Sequence, residues 1–447
     1  MDYQLLVAVV IGVSALLFMI LQLRMQAFIA LLIVCILVGV LVGLSPDIIF
    51  NSIKKGMGNT LGFVATVIGL GALFGGILEN SGGAHGLATY LLKLFGEKNA
   101  SWALMATGFI VAIPVFFDVA FIILIPLVYA IARRTGKSLL LYAIPLLAGL
   151  AITHSFIPPT PGPIAVADIL GANLGWVIIF GFIVGIPSAI IGGPLFAKYI
   201  ANKIEVSIPE IVEEGREVSQ PPNPITILAI IALPIFLIVV KTVLFGKWFS
   251  DLTLPKGLVY TISLLGHPFT ALIIANLIAW YVLGIQRGVS RDDLLKLSTK
   301  SFKPAGAIIL LTGAGGAFKQ ILVDTKVGEL LASTLQDAAI HPLLFAFIIA
   351  ALIRVLQGSA TTAMIASAGI MSPVILSGNF GAPQIALMVI AIASGSTILS
   401  HVNDSGFWLV GQYLGLTEKQ TFRSWTVMTT LIALIGIITS LVLWYVF

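Results

Sequence analysis

Runs of about 20 apolar residues recur along this chain, and a run of that length is what an α-helix needs to cross the hydrocarbon core of a bilayer. They fall at about 4–22, 27–45, 59–78, 101–132, 139–153, 174–195, 225–244, 258–284, 304–323, 342–357, 360–377, 384–400 and 425–447. In lipid every backbone polar group must be satisfied internally, which a helix does within its own segment. The expected fold is an all-α polytopic membrane protein with about 10–14 membrane segments. Composition points the same way: 59% of residues are apolar and 10% charged, against about 25% charged in a soluble domain. Lys and Arg number 24 and Asp and Glu 19, a net charge of +5. The basic residues are scattered, with no stripe interleaved with aromatics, so the expected surroundings are a lipid bilayer and not nucleic acid. The single cysteine, Cys35, lies in an apolar run, so no internal disulfide can form. The stretch Met1-Asp2-Tyr3-Gln4 lacks the basic start of a signal peptide, and the first apolar run is expected to remain as a helix.

Several runs are too long for one straight span. The run 101–132 holds Pro114 and Asp118 near its middle, and 342–377 holds Gln357-Gly358-Ser359. Breaks of this kind free backbone groups that lipid cannot satisfy, so they should face a protein-lined or wet cavity. The stretch Ile204–Pro224 differs in kind: five glutamates (Glu205, Glu210, Glu213, Glu214, Glu217), Arg216 and Pro221-Pro222 make it a solvated linker.

The chain on one side of this linker echoes the other. Gly69–Leu78 aligns with Gly313–Leu322 at an offset of 244, which also pairs Leu87-Ala88 with Leu331-Ala332, Leu91 with Leu335 and Pro114 with Gly358. With a gap of three residues, Pro126 falls opposite Pro373 and His154 opposite His401. An ordered series of matches points to two repeats, about 57–195 and 302–447, the plan of secondary transporters, whose site lies at mid-membrane between broken helices. The loop Arg133–Lys137 carries three positive charges and its counterpart, 377–384, none, which favours inverted repeats. Lys54-Lys55 and Lys296–Lys303, both positive at matching positions, weigh the other way. The expected organisation is N-terminal helices over 1–56, a first repeat over 57–203, the linker 204–224, further helices over 225–301 and a second repeat over 302–447.

Four constellations could carry chemistry. Asp118 is a carboxylate inside an apolar run just after Pro114; such a group is costly and marks a functional site unless a neighbouring helix end satisfies it. His154–Pro163 packs four prolines and a glycine into ten residues, a composition that forbids a helix and suggests a re-entrant tip or an unwound crossing; Thr160 lies within it. Ser400–Phe407 sets His401, Asn403 and Asp404 between apolar helices, either to bind a polar solute or to cap the next helix through Asp404 or Ser405. Arg354–Thr362 places Ser359, Thr361 and Thr362 after a break, where a half-helix N-terminus would favour an anionic group. Arg354 would pair with a carboxylate there or snorkel to headgroups.

Other motifs carry little. The glycine runs Gly69–Gly76 and Gly313–Gly316 permit close helix packing; Phe74 and Phe318 stand where a dinucleotide fingerprint needs its third glycine. Ile131 stands where a phosphate loop ending at Gly136-Lys137-Ser138 needs its first. No Cys/His cluster is present, so neither a cofactor nor a metal is expected. His85, His267 and His341 flank helices and read as structural.

Together these stretches resemble the gluconate permease (GntP-type) family. The resemblance rests on GLGALFGGILENSGGA (Gly69–Ala84), PVFFDVAFIILIPL (Pro114–Leu127), HSFIPPTPGP (His154–Pro163), TGAGGAFKQILVD (Thr312–Asp324), QGSATTAM (Gln357–Met364) and SHVNDSGFW (Ser400–Trp408), in family order. It implies a bacterial inner-membrane protein that imports sugar acids such as gluconate with protons, related members taking D-serine or other small hydroxy acids. It also implies inverted repeats, re-entrant hairpins and a homodimer working by an elevator motion. Around a small organic anion the candidate residues are Asp118, His154, Thr160, Arg354, Ser359, Thr361, Thr362, His401, Asn403 and Asp404. Asp118, His401 and Asp404 are the candidate proton carriers, Asp118 first, because a carboxylate in apolar surroundings crosses more easily when protonated. Thr160 stands where many relatives have histidine, Thr362 where many have valine and Asp118 where some have glutamate, which leaves open which sugar acid or hydroxy acid is carried. Sodium is the alternative coupling ion, since unwound carbonyls with Ser, Asn and Thr can bind it. An enzyme using Asp118 and Asp404 as paired carboxylates lacks any catalytic signature, and a passive channel would not accumulate its solute.

Overall fold

The computed structural model describes residues 2–206, 221–245, 255–325 and 340–447 of the chain. The first part of the chain forms α1 (Asp2–Leu21), α2 (Ala27–Val42), α3 (Pro46–Asn80), α4 (Gly83–Phe95), α5 (Ala100–Val111), α6 (Phe117–Thr135), α7 (Leu140–Phe156), α8 (Pro161–Leu170) and α9 (Leu174–Ala201). Then come α10 (Pro224–Leu244), α11 (Lys256–Leu265), α12 (Pro268–Arg287), α13 (Arg291–Ser301) and α14 (Lys303–Asp324). The last part forms α15 (Pro342–Gln357), α16 (Ala360–Ser377), α17 (Ala382–Thr397), α18 (Ser405–Leu414) and α19 (Glu418–Trp444). Among the described residues there is no strand. Among the described residues eight helical stretches are long and apolar enough to cross a membrane, and shorter apolar helices accompany them. Their outward faces carry exposed Val, Ile, Leu and Phe, as lipid requires.

Local signals set the helix ends. Ser45 Oγ accepts from the Ile48 amide, and Asn173 Oδ1 from the Gly175 and Trp176 amides, so each satisfies donors that an N-terminus leaves free. Gly43, Gly136, Gly171 and Gly415 end helices in the left-handed conformation. His267 and His341 are N-caps, each Nδ1 accepting from the amide two residues on. Burial, with Lys241 nearby, pushes His267 below the usual histidine range.

Two expectations need correction. The prolines of 154–163 do not exclude a helix: α8 begins at Pro161 and contains Gly162 and Pro163. A first helical turn has no intrahelical use for its N–H groups, so prolines there cost no bond. The break is confined to Ile157–Thr160. The run 258–284 forms two helices parted at Gly266-His267, where Gly266 packs against Lys241 and Leu237 too closely for a side chain. In addition, α3 runs unbroken through residue 56, so the division drawn there falls inside a helix. Of the linker 204–224, residues 207–220 lie outside the described residues, as do Leu331, Ala332 and Leu335.

The order of elements repeats: α5–break–α6, α7–break–α8, α9, and then α15–break–α16, α17–break–α18, α19. Side-chain contacts orient the two sets. The ends of the α5–α6 pair meet, since Arg134 and Glu97 form an ion pair, so this pair is a hairpin that enters and leaves on one face. That face also holds the end of α9: Ser138 Oγ donates to the Ile204 carbonyl at 3.2 Å. The ends of the α15–α16 pair meet elsewhere, around Trp444, whose ring lies 5.0 Å from His341 and 6.0 Å from Phe380. There the start of α9 is found, with Trp176 and Phe180 on Phe447 at 5.5 and 5.3 Å. Because α9 spans from one face to the other, the two hairpins enter from opposite sides and the repeats are inverted. The matched helices α3 and α14 lie antiparallel; Gly56 abuts the Gly316 backbone and Gly76 abuts Ser301.

Candidate functional site

The tips of both hairpins and the gap between α17 and α18 meet around one cavity of about 510 Å³, within the usual range for a small-molecule site. The first hairpin contributes Phe116–Val119, and the second Arg354 and Gln357–Thr361. His154 and Ser155 come from the end of α7, Asn403–Gly406 from the start of α18, and Trp425 and Thr429 from α19. The fourth break, Ile157–Thr160, does not reach this cavity; Pro159 and Thr160 line a small gap against Ile113–Phe116.

Three half-helices begin at the cavity: α6 at Phe117, α16 at Ala360 and α18 at Ser405. The first amides of a helix have no intrahelical partner and together carry partial positive charge. Ser359 Oγ takes one from Thr362 at 3.3 Å and Asp404 Oδ1 one from Gly406 at 3.1 Å. Phe116, at the start of α6, offers no side-chain cap. Such an arrangement suits an anion.

Arg354 supplies a full positive charge. It is 4% exposed, and its Nη2 donates to Asp404 Oδ2 at 2.5 Å. Ser400 Oγ donates to the same carboxylate oxygen and accepts from Trp425 Nε1 at 2.6 Å, so α19 braces the pair. Arg354 Nε and Nη1 have no hydrogen-bond partner among the described residues, nor do Gln357 Oε1 and His154 Nδ1. A buried polar atom left unpaired costs about 1–3 kcal/mol, and all four atoms belong to residues that line this cavity.

The second hairpin's tip is held by the α17–α18 connection. Asn403 Nδ2 donates to the Val355 and Leu356 carbonyls at 2.9 and 3.2 Å, and His401 Nε2 lies 2.9 Å from the Val355 carbonyl. These are last-turn carbonyls that α15 cannot satisfy itself. Gly358 turns the chain at φ +87°, and a Cβ there would overlap the Asn403 backbone.

Of the candidates read from the sequence, Asp118, His154, Arg354, Ser359, Thr361, Asn403 and Asp404 line the cavity. Thr160, Thr362 and His401 do not. Thr160 is buried and donates to the Ile157 carbonyl at 2.6 Å; Thr362 turns its hydroxyl to Ser359 Oγ at 3.0 Å; His401 is held on α15. Asp118 is exposed to the cavity, not sealed in apolar surroundings as expected, because the break after α5 sets it in the first turn of a half-helix facing open space. Gln357, Ser155, Thr397, Trp425 and Thr429 also line the cavity and went unremarked as site residues. Gln357 had a visible signal, a carboxamide beside a helix break; Trp425 had none, lying in an apolar run. A second charge pair also escaped notice: Asp168 of α8, bonded to Thr60, faces Lys319 of α14 away from the cavity. Among the described residues no group of three or more His, Cys, Asp or Glu side chains is placed to hold a metal ion.

Comparison with known proteins identifies the family. Residues 4–446 match the family model described as GntP family permease. The chain is 39% identical over 448 residues to a gluconate permease of Pseudomonas aeruginosa, covering 99% of this chain and 98% of the relative. It is 39% identical over 435 residues to the low-affinity gluconate transporter of Escherichia coli K12, covering 96% of each. It is 38% identical over 437 residues to the Gnt-II system L-idonate transporter of the same organism, covering 97% of each. Among solved structures, the YdaH transporter of Alcanivorax borkumensis superimposes with a TM-score of 0.64 at 15% identity, over 89% of this chain and 88% of that one. MtrF of Neisseria gonorrhoeae, from a class of antimetabolite efflux pumps, gives 0.63 at 15% identity, over 88% and 83%. These two speak for the fold alone. An end-to-end family match, on an inverted-repeat membrane fold built around one cavity, places this chain in the GntP permease family as a multi-pass membrane transporter.

Proposed function

We propose that this protein is a secondary active transporter that imports gluconate or a related sugar acid together with protons across the bacterial cytoplasmic membrane. The observation that carries the reading is Arg354, buried at the cavity wall with Nε and Nη1 unpaired, beside three half-helix N-termini. A guanidinium that keeps one arm on Asp404 can offer the other to a substrate carboxylate. The relatives' names supply the sugar-acid class.

Electrostatics support proton coupling. Asp118 lines the same cavity and has no cationic partner among the described ion pairs. A charged Asp118 opposes an incoming anion; a proton on it removes the opposition, so proton and anion favour each other's binding reciprocally. Inverted repeats then give two alternative conformations around one site. A homodimer is part of the proposal, on the family resemblance.

The test is uptake of labelled gluconate into proteoliposomes with an imposed pH gradient, inside alkaline, against competing hydroxy acids and D-serine. Accumulation above the external concentration, abolished by a protonophore and unchanged when choline replaces sodium at fixed pH, is expected. Accumulation that needs sodium would move the coupling to that ion. Equilibration without accumulation would make the protein a passive pathway.

A further inference from the structure

Resting on the sugar-acid reading above, we infer that Gln357 selects the substrate by hydrogen-bonding a hydroxyl close to its carboxylate, so that the site takes hydroxylated acids and rejects plain carboxylates. Gln357 sits three residues after Arg354, in the last turn of α15. Side chains at that spacing are neighbours on one helix face, roughly 5–6 Å apart at Cβ. Neighbouring side chains on one face can reach adjacent groups of one small ligand, here a carboxylate and a hydroxyl on one of the next two carbons. Both residues line the cavity, and both carry buried polar atoms without a partner among the described residues: Arg354 Nε and Nη1, and Gln357 Oε1.

The orphaned atoms are complementary to one substrate fragment. Arg354 offers N–H donors alone and calls for an anionic acceptor. Gln357 Oε1 is an acceptor and calls for a donor, which a carboxylate lacks and a hydroxyl supplies. The neighbouring side chains are engaged elsewhere: Asn403 Nδ2 on the Val355 and Leu356 carbonyls, Thr362 on Ser359. Nothing in the described cavity wall satisfies the Gln357 oxygen. A site built to pair with a hydroxyl rejects the analogue that lacks it, because its own buried group then stays unpaired. A hydrocarbon wall at this position could not discriminate in this way.

The experiment measures competition against labelled gluconate exchange in proteoliposomes by gluconate, 2-deoxygluconate, 3-deoxygluconate and hexanoate. The wild-type protein is expected to bind one of the two deoxy acids roughly 10- to 100-fold more weakly than gluconate. Gln357→Met, close in size and unable to pair with a hydroxyl, is expected to lose a similar factor for gluconate and to bind that deoxy acid no more weakly than the wild type does. A misfolded variant would lose both ligands, so retained binding of the deoxy acid reports a selective change. Equal binding of both deoxy acids and gluconate by the wild type overturns the inference without any variant. So does a Met variant that still discriminates between them as the wild type does. If the wild-type protein exchanges no sugar acid at all, the functional reading itself falls, which is a separate outcome.

Discussion

The Arg354–Asp404 pair makes a two-part prediction that separates stability from transport. Asp404→Asn keeps the cap on α18, because asparagine caps as well as aspartate, but it leaves the guanidinium without its counter-charge. Arg354 is 4% exposed and Asp404 14%. Removing one partner of a buried pair costs about 3–5 kcal/mol; since the cavity admits water beside Asp404, the low end, about 3 kcal/mol, applies here. Arg354→Met leaves Asp404 with Ser400 and the Gly406 amide, a milder loss of about 1–2 kcal/mol. Replacing both ions by groups of similar volume is often neutral, so Arg354→Met/Asp404→Asn should recover most of the stability lost in Asp404→Asn. Transport should not recover, because the cation for the substrate carboxylate is gone, a loss of about 1.5–3 kcal/mol in binding. The stability arm is read as the midpoint of thermal aggregation in detergent and the functional arm as gluconate uptake. A double variant as unstable as Asp404→Asn would show that the pair is not the source of the instability. A double variant that transports at the wild-type rate would remove Arg354 from the substrate.

Three further outcomes follow from the geometry. Asp118→Asn should lose accumulation driven by a pH gradient yet retain exchange of substrate between the two sides, since exchange needs no proton release; continued uphill uptake would pass the role to Asp404 or His401. Asn403→Ala should abolish uptake with expression and insertion intact, because it removes two bonds that hold the second hairpin tip, each worth about 0.5–1.5 kcal/mol; wild-type uptake would show the tip is held otherwise. Gly358→Ala forces a Cβ into a left-handed turn and onto Asn403, at a cost of at least about 1–2 kcal/mol, and should cut uptake more than Gly378→Ala, where the overlap is with the ring of Phe380 and not with backbone.

Much of this protein was legible in its sequence, and the legible parts share a cause. Spanning helices, the breaks at Pro114 and Gly358, and the ordered matches between the two halves are written in neighbouring residues, because lipid forces each segment to satisfy its own backbone. The same local logic failed where context changes the cost of a residue: Pro161 and Pro163 are harmless in a first turn. Charge alone favoured inverted repeats only weakly; the ion pair of Glu97 with Arg134 and the edge-on contacts of His341 and Phe380 with Trp444 fix the orientation. Asp404 had no visible reason to choose an arginine fifty residues earlier, and the Gln357 carboxamide, visible beside its break, gave no sign that its oxygen would stay unpaired at the cavity. Those facts depend on which helices pack together. Pairing across the cavity is set by the folded arrangement of α15, α18 and α19, and no run of adjacent residues encodes it.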